Sequence, residues 1–114
     1  MKTQSAKAKG RKFQQHVRDR ILVHFPELTS MDVRSTSMGA SGADILFSKK
    51  AADALPLYIE CKNQEKLNIW EALAQAEAGA DGSPYKPVVA FKRNKSKSYI
   101  CVELDSFLEM VKQQ

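Results

Sequence analysis

Two apolar segments separated by one helical segment place the strongest constraint on the fold of this chain. Residues 57–62 and 87–91 are short apolar runs of the kind that form buried strands. Residues 67–80, between them, are rich in alanine, leucine and glutamate with apolar residues at helical spacing. A strand, a helix and a strand in this order predict a crossover connection, so the sheet must contain at least one parallel pair.

Further elements are predicted on both sides of this crossover. A helix is expected from about Lys12, and Pro26 ends it because the residue before a proline avoids the helical conformation. Strands are predicted at 31–37, 44–47 and 98–102, and a closing helix at 105–112. The predicted fold class is therefore α/β, a mixed five-stranded sheet flanked by helices in the order α-β-β-β-α-β-β-α. The strands at 44–47 and 57–62, joined by a polar connection, are expected to pair antiparallel.

Length and composition point to a single intracellular domain. The 114 residues suit one modest core, with residues 1–9 as a flexible basic arm and residues 10–114 as the domain. No apolar run approaches the roughly 18 residues of a membrane span, and no apolar signal segment follows the charged N-terminus. Two cysteines, Cys61 and Cys101, give no disulfide framework. We expect a cytoplasmic protein with free thiols and no membrane partner.

Basic residues are clustered rather than spread along the chain. The formal net charge is +5, and six basic residues precede the first acid, Asp19. A second basic cluster occupies residues 92–97. Two clusters of one sign predict a polyanionic partner, nucleic acid before membrane. The alternative is a solubilising tail and a basic turn with no ligand.

Charged residues interrupt two apolar strands, and they carry the predicted chemistry. Asp44 opens one strand, while Glu60 and Lys62 share a face of another by the two-residue period. Two neighbouring carboxylates repel unless a cation lies between them. Ligation by oxygen alone favours Mg²⁺ or Mn²⁺ over zinc.

Such a site could hydrolyse a phosphodiester. A bound metal withdraws charge from a phosphate and lowers the pKa of a water, and Lys62 could hold that water or neutralise the developing charge. The alternative is a surface ion pair between Glu60 and Lys62 at a strand end. His16 and His24 are too far apart on one helix to form an adjacent metal pair, and Gly39 and Gly42 match no phosphate-loop pattern.

The stretch SGADILFS, followed by LYIECKNQEK, resembles the PD-(D/E)xK nucleases, and among them the archaeal-type Holliday junction resolvases and related phage endonucleases. The resemblance covers residues 10–93 and implies a restriction-endonuclease-like fold. It also implies a divalent metal held by Asp44, Glu60 and the backbone carbonyl of Cys61, with Lys62 as the catalytic lysine.

The same resemblance suggests further site residues. A glutamine on the helix after the core matches Gln75, with Gln64 as a weaker candidate, and a loop serine matches Ser37 ahead of Ser35 and Ser41. One departure concerns the glutamate that such resolvases carry on the first helix. Gln14 or Gln15 stands there, and a glutamine can ligate a metal through its amide oxygen but brings no negative charge.

DNA is the predicted partner, in branched or duplex form. The residues expected to contact it are Lys9, Arg11, Lys12, Arg34, Lys92 and Arg93. A homodimer is expected because a four-way junction needs paired, symmetric cuts, with its interface on the apolar residues Leu67, Ile69, Trp70 and Leu73. The predicted function is a metal-dependent DNA endonuclease resembling Holliday junction resolvases. The alternatives are a nicking or restriction-like nuclease for other DNA structures and a catalytically weak DNA-binding module.

Overall fold

The structure, a computed structural model, describes residues 4–36 and 42–114. It contains four helices and five strands in these regions and confirms the mixed α/β class. In chain order they are α1 (Gln4–His24), β1 (Val33–Ser35), β2 (Ile45–Phe47), α2 (Lys49–Ala54), β3 (Leu57–Asn63), α3 (Ile69–Ala80), β4 (Lys86–Lys92), β5 (Tyr99–Val102) and α4 (Leu104–Lys112).

The predicted crossover is confirmed. β3 and β4 pair in parallel with Leu57 opposite Lys86 and Asn63 opposite Lys92, and β5 pairs antiparallel with β4. α3 connects β3 to β4 and covers one face of this three-stranded sheet. Its buried positions are all alanines, among them Ala72 and Ala76, and these small side chains let the helix lie close to Val89.

The five strands form two sheets rather than the single five-stranded sheet that was expected. β1 and β2 are a separate antiparallel pair, and β2 does not pair with β3. Only the residue before β2 bonds to β3: the Asp44 N–H donates to the Ile59 carbonyl at 2.9 Å. The next β3 donor, the Cys61 N–H, bonds to the Asp44 carboxylate at 2.7 Å. A side chain thus occupies the place that a second ladder hydrogen bond would take.

The polar connection between β2 and β3 contains the short helix α2, which the sequence did not predict. Ser48 is its N-cap and accepts a hydrogen bond from the Ala51 N–H. The Ser48 hydroxyl in turn donates to Asp32 at 2.7 Å. α2 buries Ala51 and Ala52, and this apolar burial stabilises the helix in an otherwise polar segment.

α1 covers the opposite face of the three-stranded sheet. It begins at Gln4, so residues 4–9 are helical where a flexible arm was expected. Its buried residues Phe13 and Val17 pack in one core cluster with Val33, Ile59 and Val88. The sheet is therefore sandwiched between α1 and α3, and the end of β3 lies next to the first turns of α1.

α4 lies at the periphery. None of its residues is buried, and an ion pair of 2.8 Å between Lys86 Nζ and Glu109 Oε2 links it to β4. Its apolar residues Leu104, Phe107, Leu108 and Val111 are exposed.

Both cysteines are free thiols, as expected. Within residues 4–36 and 42–114, no helix has the length and apolar character that crossing a bilayer requires.

Candidate active site

A cavity of about 370 Å³ lies where α1, the start of β2 and the end of β3 meet. Its walls include Gln14 from α1, Asp44, and Glu60, Cys61 and Lys62 from β3. The metal ligands and the lysine were expected from three separate stretches of the predicted fold. The structure brings all three stretches together here.

Hydrogen bonds on both sides of Asp44 hold it in place. Its N–H donates to the Ile59 carbonyl, and its own carbonyl accepts from the Thr36 N–H at 2.9 Å. Its carboxylate accepts from the Cys61 N–H at 2.7 Å. Asp44 is therefore fixed against the strand that carries Glu60.

The two carboxyl groups perturb one another. Burial and the neighbouring charge of Asp44 raise the pKa of Glu60 to about 7, an effect that the Lys62 ammonium partly offsets. Burial also raises the pKa of Asp44, against the hydrogen bond from Cys61 and the charge of Lys62. Glu60 is the more readily protonated of the two carboxyl groups, because burial and the charge of Asp44 both raise its pKa. A divalent cation between them would replace that proton.

Cys61 offers its backbone rather than its sulfur. Burial, together with the charges of Asp44 and Glu60, raises the pKa of the thiol far above its usual range, so the thiol stays protonated. The Ile59 carbonyl and the Cys61 N–H both bond to Asp44, and the N–H and C=O of one strand residue point to the same edge. The Cys61 carbonyl therefore points to the edge where Asp44 lies.

Gln14 supplies a neutral oxygen. Its side chain is only 5% exposed, and its Oε1 atom is buried with no hydrogen-bond partner among the described residues. A buried polar atom of this kind calls for a partner, and it lies in the wall of the cavity that holds Asp44 and Glu60. Gln15, the other candidate on this helix, is exposed.

These groups fit a hard divalent cation such as Mg²⁺ or Mn²⁺. The available ligands are two carboxylates, a backbone carbonyl and an amide oxygen, all of them oxygen atoms. In the part of the chain that the structure describes, no group of three His, Cys, Asp or Glu side chains could hold a metal. A metal here would thus be bound with two formal negative charges.

Two of the predicted site residues, Gln75 and Ser35, do not line the cavity. Gln75 is exposed on α3 and does not line the cavity, whereas the weaker candidate Gln64 does. Ser37 and Ser41 lie outside the described residues, and Ser35 belongs to β1.

Of the six predicted DNA contacts, three line a cavity beside the site. Lys9, Lys12 and Lys92 line a second cavity of about 590 Å³ next to the first. Arg93 lines a groove that Gln64 and Lys92 also line. Arg11 is exposed on α1 and Arg34 is exposed on β1. For Asn63, its place next to Lys62 in the sequence is compatible with a phosphate contact or with a turn-capping role. It lines both cavities, and its buried Oδ1 atom has no partner among the described residues.

The comparisons with known proteins point to one family. The model of a family described as "Phage putative PDDEXK endonuclease" matches residues 5–114, which is nearly the whole chain. No curated protein matches the chain, and no solved structure does.

Proposed function

The chain belongs to the phage PDDEXK endonuclease family, and we propose that it is a divalent-metal-dependent endodeoxyribonuclease. The observation that carries this proposal is the shared cavity of Asp44, Glu60, Lys62 and Gln14. The proposed ion is Mg²⁺ or Mn²⁺, and the proposed place of action is the cytoplasm of the cell that holds the DNA.

Each residue has a proposed task. Asp44, Glu60, the Cys61 carbonyl and Gln14 would hold the cation. When bound, the cation lowers the pKa of a water and withdraws charge from the scissile phosphate. Lys62 lies beside both carboxyl groups, as its effect on their pKa values indicates, and its ammonium would orient the attacking water or stabilise the charge that develops on the phosphate oxygens. Gln64, at the cavity wall, would hydrogen-bond to a phosphate oxygen.

The proposed substrate is branched DNA, cut by a homodimer in the manner of Holliday junction resolvases. Paired cuts across a two-fold junction favour a two-fold enzyme. The expected interface residues Leu67, Ile69 and Leu73 pack against the sheet of the same chain. Trp70, which is 79% exposed, and the apolar face of α4 offer surface for the interface instead.

The neutral Gln14 also favours a second candidate function, a DNA-binding module with weak catalysis. A site with two acids binds a divalent cation less tightly than one with three, because each carboxylate adds charge attraction. Under this alternative, the function of the protein would be to bind DNA rather than to cleave it.

The test is a cleavage assay on junction, nicked, flap and linear duplex DNA with Mg²⁺, Mn²⁺ or chelator. The proposed function predicts metal-dependent cleavage, strongest on the junction, that disappears in Asp44→Ala and Lys62→Ala while DNA binding persists. Glu77→Ala, on the exposed side of α3, is the control. Equal cutting of linear duplex would favour a nicking or restriction-like enzyme. DNA binding without cleavage in either metal would support the alternative of a DNA-binding module.

A further inference from the structure

The 590 Å³ cavity beside the catalytic cavity has a wall of cations. Lys9 and Lys12 from α1 and Lys92 from the end of β4 line it, and no carboxylate does. Among the described residues, the ion pairs involve other side chains. No ion pair in this described part of the chain therefore neutralises the ammonium groups of Lys9, Lys12 and Lys92. Three uncompensated ammonium groups around one concave space attract an anion.

The two cavities are adjacent and share two wall residues. Lys9 and Asn63 line both of them, the first from α1 and the second from the last position of β3. Asn63 lies opposite Lys92 in the β3–β4 register, so these two side chains leave the same face of the sheet toward α1. Lys62, by contrast, lies in the wall of the catalytic cavity only. An anion in the basic cavity would therefore lie next to Asn63, the residue that follows the catalytic lysine in β3.

One aromatic wall completes the basic cavity. The His16 ring, which is exposed, stacks on the buried Phe13 ring with centroids 6.4 Å apart and an interplanar angle of 24°, so His16 supplies the accessible ring in this space. Cations that track a phosphate backbone, next to a ring that a base or sugar can pack on, are the general features of single-strand binding grooves. A concave space of this size also encloses a small group such as a phosphate more completely than a flat surface does.

We propose that this basic cavity binds a phosphate of the nucleic-acid strand that passes through the catalytic cavity, next to the phosphate that is cut. The proposal rests on the nuclease function proposed above. Lys9 faces both phosphates, Lys12 and Lys92 contact the second one, and the pair of sites fixes the strand so that the scissile phosphate meets Lys62.

The first experiment measures DNA binding by fluorescence anisotropy in chelator, so that no cleavage occurs. Lys12→Ala and Lys92→Ala are expected to weaken binding about tenfold and to reduce the slope of log K against log salt by about 0.9 each, the value for one lost phosphate contact. Lys7→Ala is the matched control, because Lys7 is exposed on α1 and lines neither cavity. It should change the affinity by less than about twofold.

The second experiment locates the phosphate. One neutral methylphosphonate is placed at each linkage in turn, and one position is expected to weaken binding to the wild type but to have no further effect in Lys12→Ala. A matching set of oligonucleotides with hydroxyl or phosphate ends tells an internal phosphodiester from a terminal phosphate. Either source supports the cavity as a phosphate site.

The two proposals fail in different ways. If no DNA is cut but the lysine variants lose binding as stated, the nuclease proposal fails and the phosphate site stands. If Lys12→Ala and Lys92→Ala bind DNA like Lys7→Ala, or if no methylphosphonate position is coupled to Lys12, the phosphate site is wrong even if the protein cuts DNA.

Discussion

The Cys61 N–H donates a 2.7 Å hydrogen bond to the Asp44 carboxylate. This bond joins the start of β2 to β3 at the point where a backbone ladder between them ends. It also holds the Asp44 carboxylate close enough to Glu60 for the charge of Asp44 to raise the pKa of Glu60. One hydrogen bond therefore serves both the fold and the candidate metal site.

Asp44→Asn and Asp44→Ala should separate these two roles. Asparagine keeps an oxygen that can accept from the Cys61 N–H and removes the repulsion with Glu60, so the free energy of unfolding in chelator should not fall. Alanine leaves a part-buried N–H without a partner, and the protein should lose about 1–3 kcal/mol. Both variants should lose cleavage by about 100-fold or more, because the metal loses a charged ligand.

Urea denaturation and the junction-cleavage assay measure these effects. Asp81→Asn, on an exposed residue that ends α3, is the control and should keep both properties. Equal stability of Asp44→Asn and Asp44→Ala would contradict the structural role of the hydrogen bond.

Gln14→Glu should tighten metal binding. It adds a third carboxylate to the cavity that holds Asp44 and Glu60, and a charged ligand attracts a divalent cation more strongly than an amide does. We expect the metal concentration for half-maximal cleavage to fall about tenfold, which corresponds to about 1.4 kcal/mol. In chelator the same variant should be less stable than the wild type, since burial of a third carboxylate is unfavourable.

Gln15→Glu is the matched control for that change. Gln15 is the next residue on α1 but is exposed, so its charge would be screened by solvent. It should leave the metal titration unchanged. A shift of the same size in both variants would mean that general charge, and not ligation by residue 14, controls the affinity.

How far the sequence predicted this molecule depends on the range of the interactions involved. The crossover from β3 through α3 to β4 was predicted, because local periodicity and chain connectivity determine it. The split into two sheets was not, since it depends on the Asp44 side chain bonding to Cys61, 17 residues away. α2 was missed because its stability comes from Ser48 as a cap and from two buried alanines in a short polar segment.

The candidate site was predicted in the same uneven way. Two-residue alternation was enough to pair Glu60 with Lys62. The choice between Gln14 and Gln15 required the packing of α1, which buries one and exposes the other. Gln75 was expected at the site from resemblance alone, and the rotation of α3 turns it to solvent.

The metal-free protein should become less stable, relative to Glu60→Gln, as the pH rises. The pKa of Glu60 is raised to about 7 in the folded state from a value of 4.5 without these surroundings. A raised pKa means that the folded state favours the protonated form. The deficit of the wild type should thus be small below about pH 4.5, grow between pH 4.5 and 7, and be constant above pH 7.

Thermal unfolding of both proteins in chelator from pH 4 to 8 measures this difference. Glu77→Gln, on the exposed side of α3, should differ from the wild type by a constant amount. Saturating Mn²⁺ should make the wild type more stable than Glu60→Gln above pH 7, because the ionised carboxyl pair then has its cation. A wild type that gains stability over Glu60→Gln with rising pH in chelator would show that the carboxyl pair is not strained by its charge.

Gly79→Ala should destabilise the protein, although alanine is the better helix former. Gly79 lies inside α3, and a methyl group at this position would overlap the Tyr58 ring and its hydroxyl. The gain in helix propensity is about 1 kcal/mol, and the overlap with a ring between helix and sheet should cost about 1–3 kcal/mol. In a Tyr58→Leu background the overlap is gone, so the same substitution should become stabilising. Urea denaturation of the four proteins of this cycle gives the coupling energy, and additive effects would place the Tyr58 ring away from Gly79.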